Sequence, residues 1–293
     1  MRVTVGGTIM ERSKVALYDL FQKKKRGEKI IRMAAYDYPT ARLIDEAGLD
    51  MILVGDSLGM NVLGFEDTLS VTLEMMEICT AAVRRGARNC FVVGDLPVGT
   101  YATPEQAIAS AMRLIRSGAD AIKLEGGVEI CPIVQALTKE GMTVNSHIGL
   151  MPQSYKELGG FKVQGRDPRQ AMKILHDAIA LQEAGAKLLL LEAIPEELGC
   201  VISERTDLIT ISIGAGRYCD AITIVFHDFA GFSRRVPRFV KKYADMNTIL
   251  REAIGAYKDD VLAGNYPLRE HCYPWDEKKK KEFFDLLGSE ECV

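Results

Sequence analysis

The chain has 293 residues, 47% hydrophobic and 26% charged, with a net charge of −3. That length suits one large domain or two small ones, and the near-neutral balance gives no footing for a polyanionic partner such as nucleic acid. No apolar run reaches the roughly 18 residues of a membrane span. The start, Met-Arg-Val-Thr-Val-Gly-Gly, lacks a signal-peptide core. The seven cysteines are scattered without a C-x-x-C, so a cytoplasmic protein with neither a disulfide framework nor a thiolate zinc site is expected.

Along the chain, short apolar runs alternate with amphipathic stretches that end in glycine. Ile31–Ala35 is followed by a stretch closing at Glu46-Ala47-Gly48, and then comes Met51–Gly55. Arg85-Gly86 precedes Phe91–Gly94, and Ser117-Gly118 precedes Ala121–Leu124. Glu140-Gly141 precedes Thr143–Ser146, and Ala184-Gly185 precedes Leu188–Leu191. Ile209–Ile213 and Ile222–Phe226 bring the runs to eight. Glycine takes the left-handed conformation that closes a helix, and a nearly all-apolar run reads as a strand buried on both faces. Thr103-Pro104-Glu105-Gln106 and Asp167-Pro168-Arg169-Gln170 mark helix starts, each with an N-cap, a proline at the first helical position and a residue able to close a capping box.

Strands alternating with helices mean α/β, and eight of them predict a closed (β/α)₈ TIM barrel. A doubly wound sheet is the weaker reading, because no G-x-G-x-x-G follows the first strand and Gly214-Ala215-Gly216 comes late without a third glycine. The expected layout is one domain over 1–293, with the barrel at about 28–245 and a C-terminal helical extension at about 247–293. Residues 152–167 are long and glycine-rich; after a fifth barrel strand they read as a lid or substrate loop, or as an irregular connector. Lys278–Lys281 reads as a solvated helix face.

Several expected strands end in polar residues: Tyr36-Asp37, Asp56-Ser57, Asp95, Lys123 with Glu125, His147, Glu192 and His227-Asp228. These positions fall at the C-terminal strand ends, where barrel enzymes place their chemistry. Clustered buried carboxylates need a cation or a shared proton. Carboxylates converging on one face suit a hard cation such as Mg²⁺, which keeps several waters and needs few protein ligands. One such Asp alone reads as a helix cap or salt-bridge partner; repetition over five strands favours a site. His147 suits a hydrogen bond to a bound anion. His176 reads as structural and His271 as surface, while His227 fits a structural role at least as well as a catalytic one. No histidine pair has zinc spacing, and Cys90 reads as a small core residue.

Specific motifs sharpen this picture. Tyr36-Asp37-Tyr38, Val54-Gly55-Asp56-Ser57-Leu58-Gly59-Met60, Asp95-Leu96-Pro97, Lys123-Leu124-Glu125-Gly126-Gly127, His147-Ile148-Gly149-Leu150 and Gly159-Gly160-Phe161-Lys162-Val163-Gln164-Gly165-Arg166 resemble the ketopantoate hydroxymethyltransferase family. Leu191-Glu192, Ile213-Gly214-Ala215-Gly216 and His227-Asp228 continue the match over roughly residues 12–270. The resemblance implies a phosphoenolpyruvate-binding barrel that moves a one-carbon unit from 5,10-methylenetetrahydrofolate to 3-methyl-2-oxobutanoate, giving ketopantoate for pantothenate and coenzyme A. It implies Asp56 and Asp95 as Mg²⁺ ligands with Glu125 in support, and Ser57, Lys123 and His147, with Asp95, around the keto acid. It further implies Glu192 as the general base and a homodecamer of two pentameric rings. The chain departs from the family pattern at Ala34, Cys79, Val98, Met151, Ser212 and Ala221-Ile222. Another 2-oxo-acid lyase, hydrolase or mutase of the same superfamily, or a non-catalytic paralogue, are the competing readings.

Overall fold

The alternating runs become eight parallel strands in the computed structural model, which describes residues 4–5, 8–9, 12–157, 159–233 and 235–288. Most of the stretch Met1–Gly7, Leu158 of the glycine-rich loop, and residues 289–293 at the end of the expected C-terminal helices lie outside the described residues. Two compact units divide between Tyr243 and Ala244.

In the first unit, β1 (Thr4–Val5) and β2 (Thr8–Ile9) form an antiparallel pair. The barrel strands are β3 (Ile30–Ala34), β4 (Met51–Val54), β5 (Phe91–Asp95), β6 (Ala121–Glu125), β7 (Val144–Gly149), β8 (Leu188–Glu192), β9 (Ile209–Ile213) and β10 (Ala221–Val225), closed by β10 pairing with β3. The helices are α1 (Leu17–Lys25), α2 (Tyr38–Glu46), the short α3 (Leu58–Asn61), α4 (Leu73–Gly86), α5 (Pro104–Arg116), α6 (Cys131–Lys139), α7 (Pro168–Glu183), α8 (Glu196–Arg205) and α9 (Phe226–Ala230). The β9–β10 connection, residues 214–220, carries no helix, and β10 is followed only by α9.

Period-two alternation divides the apolar residues of the strands into two cores. Ile30, Met51, Phe91, Leu188, Ile209 and Ala221 fill the barrel interior, with Leu20 of α1 packed against them. Ile52, Val92, Ile122, Val144 and Leu189 face outward against Ile44, Met76, Leu114, Val134 and Leu181 of the helices. A fully buried Leu contributes about 1.5–3 kcal/mol, so the shell of helices is what makes both-face burial of the strands favourable.

Thr103 and Asp167 cap α5 and α7 as expected, accepting from Gln106 and from Arg169 and Gln170 backbone N–H groups. The Gln106 side chain bonds the Ala102 N–H rather than closing the box on Thr103. Gly48, Gly118, Gly141 and Gly185 take positive φ just past their helices. Gly86 is different: it lies within α4, and a Cβ there would meet the Tyr38 carbonyl oxygen at 2.4 Å. It serves a close approach of α4 to α2, not a left-handed helix end.

The second unit holds α10 (Met246–Ala263) and α11 (Glu277–Leu287). Lys278–Lys281 lie on α11 and are exposed, as the charge run predicts. No helix among the described residues is long and apolar enough to cross a membrane.

Candidate active site

The strand register brings the expected acids together. Asp95 pairs with Lys123, and Glu125 with His147. Residues 123 and 125 are two apart on one strand and so share the inner face. Lys123 Nζ donates to both carboxylate oxygens of Asp95 at 2.8 Å and to Glu125 Oε1 at 2.9 Å. His147 Nδ1 lies 3.1 Å from the same Glu125 oxygen. Its Nε2 lies 3.3 Å from Glu192 Oε2, an ion-pair distance, without the alignment of a hydrogen bond. The sequence places His147 at a strand end. Instead β7 runs on to Gly149, and His147 sits one layer inside the mouth.

Asp56 follows β4, and its backbone N–H donates to Asp95 Oδ2 at 3.1 Å. Gln153, in the 3-10 turn Pro152–Ser154, ties the two sides of the cluster. Its Nε2 donates to Asp56 Oδ2 at 2.8 Å and to the Leu96 carbonyl at 2.9 Å, and its backbone N–H donates to Glu125 Oε2 at 3.0 Å. Tyr101 donates its hydroxyl to the Gln153 side-chain oxygen. Ser57 Oγ and the Tyr36 hydroxyl are hydrogen-bonded at 2.8 Å.

Electrostatics follow from burial and these contacts. Burial, then the Asp95 charge, raises the Asp56 carboxyl well above the ordinary range. Burial also raises Asp95, against the pull of Lys123. For Glu125 burial pushes upward, but Lys123 and His147 outweigh it and hold the carboxyl at about 2. Burial lowers His147, yet Glu125 and Glu192 carry it up to about 9, so it is an imidazolium between two carboxylates at neutral pH. Lys123 is held charged by its acidic neighbours despite its burial.

Asp56, Ser57, Asp95, Lys123, Glu125, His147 and Glu192 line one cavity of 1430 Å³. Phe161, Lys162, Val163 and Arg166 of the glycine-rich loop form part of its wall, as a substrate loop should. The donor set fits a hard divalent cation. Asp56 and Asp95 are adjacent buried carboxyl groups whose negative charges repel each other, and Mg²⁺ needs only one or two carboxylates. Both Glu125 oxygens already accept hydrogen bonds, which suits a supporting position. No cage of three or more His, Cys, Asp or Glu occurs among the described residues.

Of the other strand-end residues, Asp37 serves the fold, whereas His227 and Asp228 also line the cavity. Asp37 caps α2 by accepting from the Thr40 N–H at 2.8 Å. His227 packs against Tyr36 with ring centroids 5.5 Å apart, and its burial lowers its pKa. Cys90 is buried and donates to the Leu49 carbonyl, a small core residue as read. Sequence reasoning missed Gln153 as a bridge, although it stands at the start of the glycine-rich segment 152–167. It also missed Arg32, whose only signal is a charge inside the apolar run Ile-Ile-Arg-Met-Ala.

Comparison with known proteins shows the family and the fold. A family model described as ketopantoate hydroxymethyltransferase matches residues 14–269. A 3-methyl-2-oxobutanoate hydroxymethyltransferase of Pyrobaculum calidifontis is 49% identical over 266 residues, covering 90% of this chain and 100% of the relative. The Thermus thermophilus protein of that name is 47% identical over 253 residues, covering 86% and 97%. Among solved structures, 2,3-dimethylmalate lyase, a PEP mutase/isocitrate lyase superfamily member, superposes with a TM-score of 0.55 at 16% identity, over 94% of this chain and 99% of that one. At that identity the likeness is one of fold.

Proposed function

The chain belongs to the ketopantoate hydroxymethyltransferase family and is a transferase, and on that premise we propose that it moves a hydroxymethyl group from 5,10-methylenetetrahydrofolate to 3-methyl-2-oxobutanoate through an enolate. The product is 2-dehydropantoate (ketopantoate). One observation carries this reading: a single cavity holds a carboxylate on its wall, Glu192, and a buried acid–lysine cluster, Asp56, Asp95, Lys123 and Glu125.

Enolate formation needs a base near C3 of the keto acid and positive charge near its oxygens. Glu192, with its side chain 16% exposed, is the base in this reading. It takes the C3 proton on a carboxylate oxygen. His147 stands beside Glu192 and orients it while lining the keto-acid pocket. Lys123 places its ammonium against the developing oxyanion. Ser57, hydrogen-bonded to Tyr36, contributes a hydroxyl to the keto acid's carboxylate. Asp56 and Asp95 would hold Mg²⁺, with Glu125 in support, and the chemistry that ion supplies when bound is Lewis-acid polarisation of the keto-acid oxygens.

The test is direct. Purified, folded protein with Mg²⁺, 3-methyl-2-oxobutanoate and 5,10-methylenetetrahydrofolate should form ketopantoate, and should exchange the C3 proton of the keto acid without the folate. No ketopantoate under those conditions overturns the proposal.

A further inference from the structure

Arg32 lies mid-strand on the inner face of β3 and is 1% exposed. Its Nη1 reaches across the barrel and donates to Asn145 Oδ1 at 2.9 Å. Asn145 is the register partner of Lys123, so this hydrogen bond ties Arg32 to the strand level of the acid–lysine cluster. Its Nε and Nη2 are buried and have no partner. On the neighbouring strand, Thr223 is the register partner of Arg32, and its buried hydroxyl also has none. Both residues line the cavity that holds Asp56, Lys123 and Glu192.

The N-terminal side of this layer is apolar: Ile30 and Ala221, two positions earlier on the same strands, are fully buried, as is Leu20 packed against them. On the side toward the mouth the next inner position of β3 is Ala34, a small residue that lines the cavity together with Arg32.

The geometry of the free edge matters. Nε and Nη2 together form the side of the guanidinium that grips a carboxylate with two parallel hydrogen bonds. Elsewhere in this chain Arg26 uses Nε and Nη2 in that way on Glu28, Arg113 on Glu77, and Arg217 on Glu196. In Arg32 the same edge is buried and has no partner among the described residues. A hydrocarbon substituent placed against it would leave its donors unpaired.

We propose that Arg32 and Thr223 form a second carboxylate subsite, so that this cavity accepts a 2-oxo acid bearing a carboxylate at its far end in addition to 3-methyl-2-oxobutanoate. The inference rests on the reading above that the cavity binds a 2-oxo acid. Arg32 is then a specificity-determining residue for the length and charge of the substrate's far end.

Calorimetric titration of the Mg²⁺-loaded protein with 2-oxoglutarate and, separately, with 3-methyl-2-oxobutanoate tests this. Arg32→Met should weaken 2-oxoglutarate about tenfold or more, with little change for 3-methyl-2-oxobutanoate. Arg32→Lys keeps a charge but loses the fork, and Thr223→Val removes only the hydroxyl; both should fall between. Equal 2-oxoglutarate affinity in the wild type and Arg32→Met overturns the subsite. So does equal weakening of both acids in Arg32→Met and Arg32→Lys proteins that melt like the wild type. Failure of the wild type to make ketopantoate, with Arg32-dependent 2-oxoglutarate binding intact, overturns the proposed transfer and leaves the subsite standing.

Discussion

Lys123 Nζ lies 2.8 Å from both carboxylate oxygens of Asp95, so a single ammonium grips the residue assigned to a metal. The two side chains are 3% and 1% exposed. In such a place the pair's value lies less in attraction than in what its loss leaves behind. Lys123→Met leaves Asp95 and Glu125 buried, with His147 still beside Glu125 and the charge of Arg32 still felt by Asp95. The expected cost is about 3–5 kcal/mol, read as a large drop in melting temperature without divalent cation. Added Mg²⁺ should recover part of it, because a cation held by Asp56 and Asp95 replaces the missing charge. Equal melting of Lys123→Met and wild type would remove the ammonium from this role.

Gln153 holds Asp56 and Glu125 from opposite ends of one residue, by its side-chain amide and its backbone N–H. Gln153→Ala removes the Asp56 and Leu96 bonds and spares the bond to Glu125. A buried acceptor left unpaired costs about 1–3 kcal/mol. The mutant should also need more Mg²⁺ for half-maximal ketopantoate formation, because Asp56 is no longer pre-oriented. Gln153→Glu should be worse, adding a carboxylate beside one already raised by burial. An unchanged Mg²⁺ requirement in Gln153→Ala would show that Asp56 is positioned by the backbone alone.

Glu192→Gln keeps the size and polarity of the side chain and deletes the base. C3 proton exchange of 3-methyl-2-oxobutanoate should fall by about 10²–10⁴, with keto-acid affinity by calorimetry changed little. Exchange at the wild-type rate would assign the proton transfer elsewhere.

The barrel was legible because its signals are local and repeated. Five amphipathic stretches end in glycine before an apolar run, and acids recur just past such runs. The interior layers were not legible. In Ile31-Arg32 a surface reading puts the arginine outside, yet Ile31 is 52% exposed and Arg32 is 1% exposed. Register with Thr223, on a strand distant in sequence, decides that face. Asp37 shows the opposite failure. It carries the same strand-end signal as Asp95 but is used locally, as the cap of α2. No pattern in the chain separates a cap from a ligand when both follow an apolar run.

His147 and Glu125 together set a pH window. The folded pKa of His147 is raised from 6.5 to about 9, so its contribution is complete below about 6.5 and is lost as pH rises through about 9. Glu125 is lowered from 4.5 to about 2, so its contribution is complete above about 4.5 and is lost as pH falls toward 2. Both terms are whole only between about 4.5 and 6.5. Each is worth roughly 3 kcal/mol, and because both include the His147–Glu125 contact the two do not simply add. In metal-free protein, urea unfolding should show stability declining from pH 6.5 to 9, and His147→Gln should flatten that limb. A wild-type limb that stays flat would mean that His147 is not charged by its neighbours.

Gly86 gives the sharpest test of how α2 and α4 are set. A Cβ would meet the Tyr38 carbonyl oxygen at 2.4 Å and the Ala41 methyl at 3.0 Å. Backbone cannot move aside cheaply, so Gly86→Ala should cost about 1–3 kcal/mol by overpacking, despite alanine's better helix propensity. Gly141→Ala is the control: open space surrounds it, but its φ of +80° penalises any side chain, at about 1–2 kcal/mol. The two differ in consequence. Gly141 lies beyond α6, so its loss should leave turnover intact. Gly86→Ala pushes on α2, whose cap Asp37 follows Tyr36, the hydrogen-bond partner of Ser57. It should therefore raise KM for the keto acid as well as lower the urea midpoint. Gly86→Ala as stable as wild type would mean the helices are not wedged at that contact.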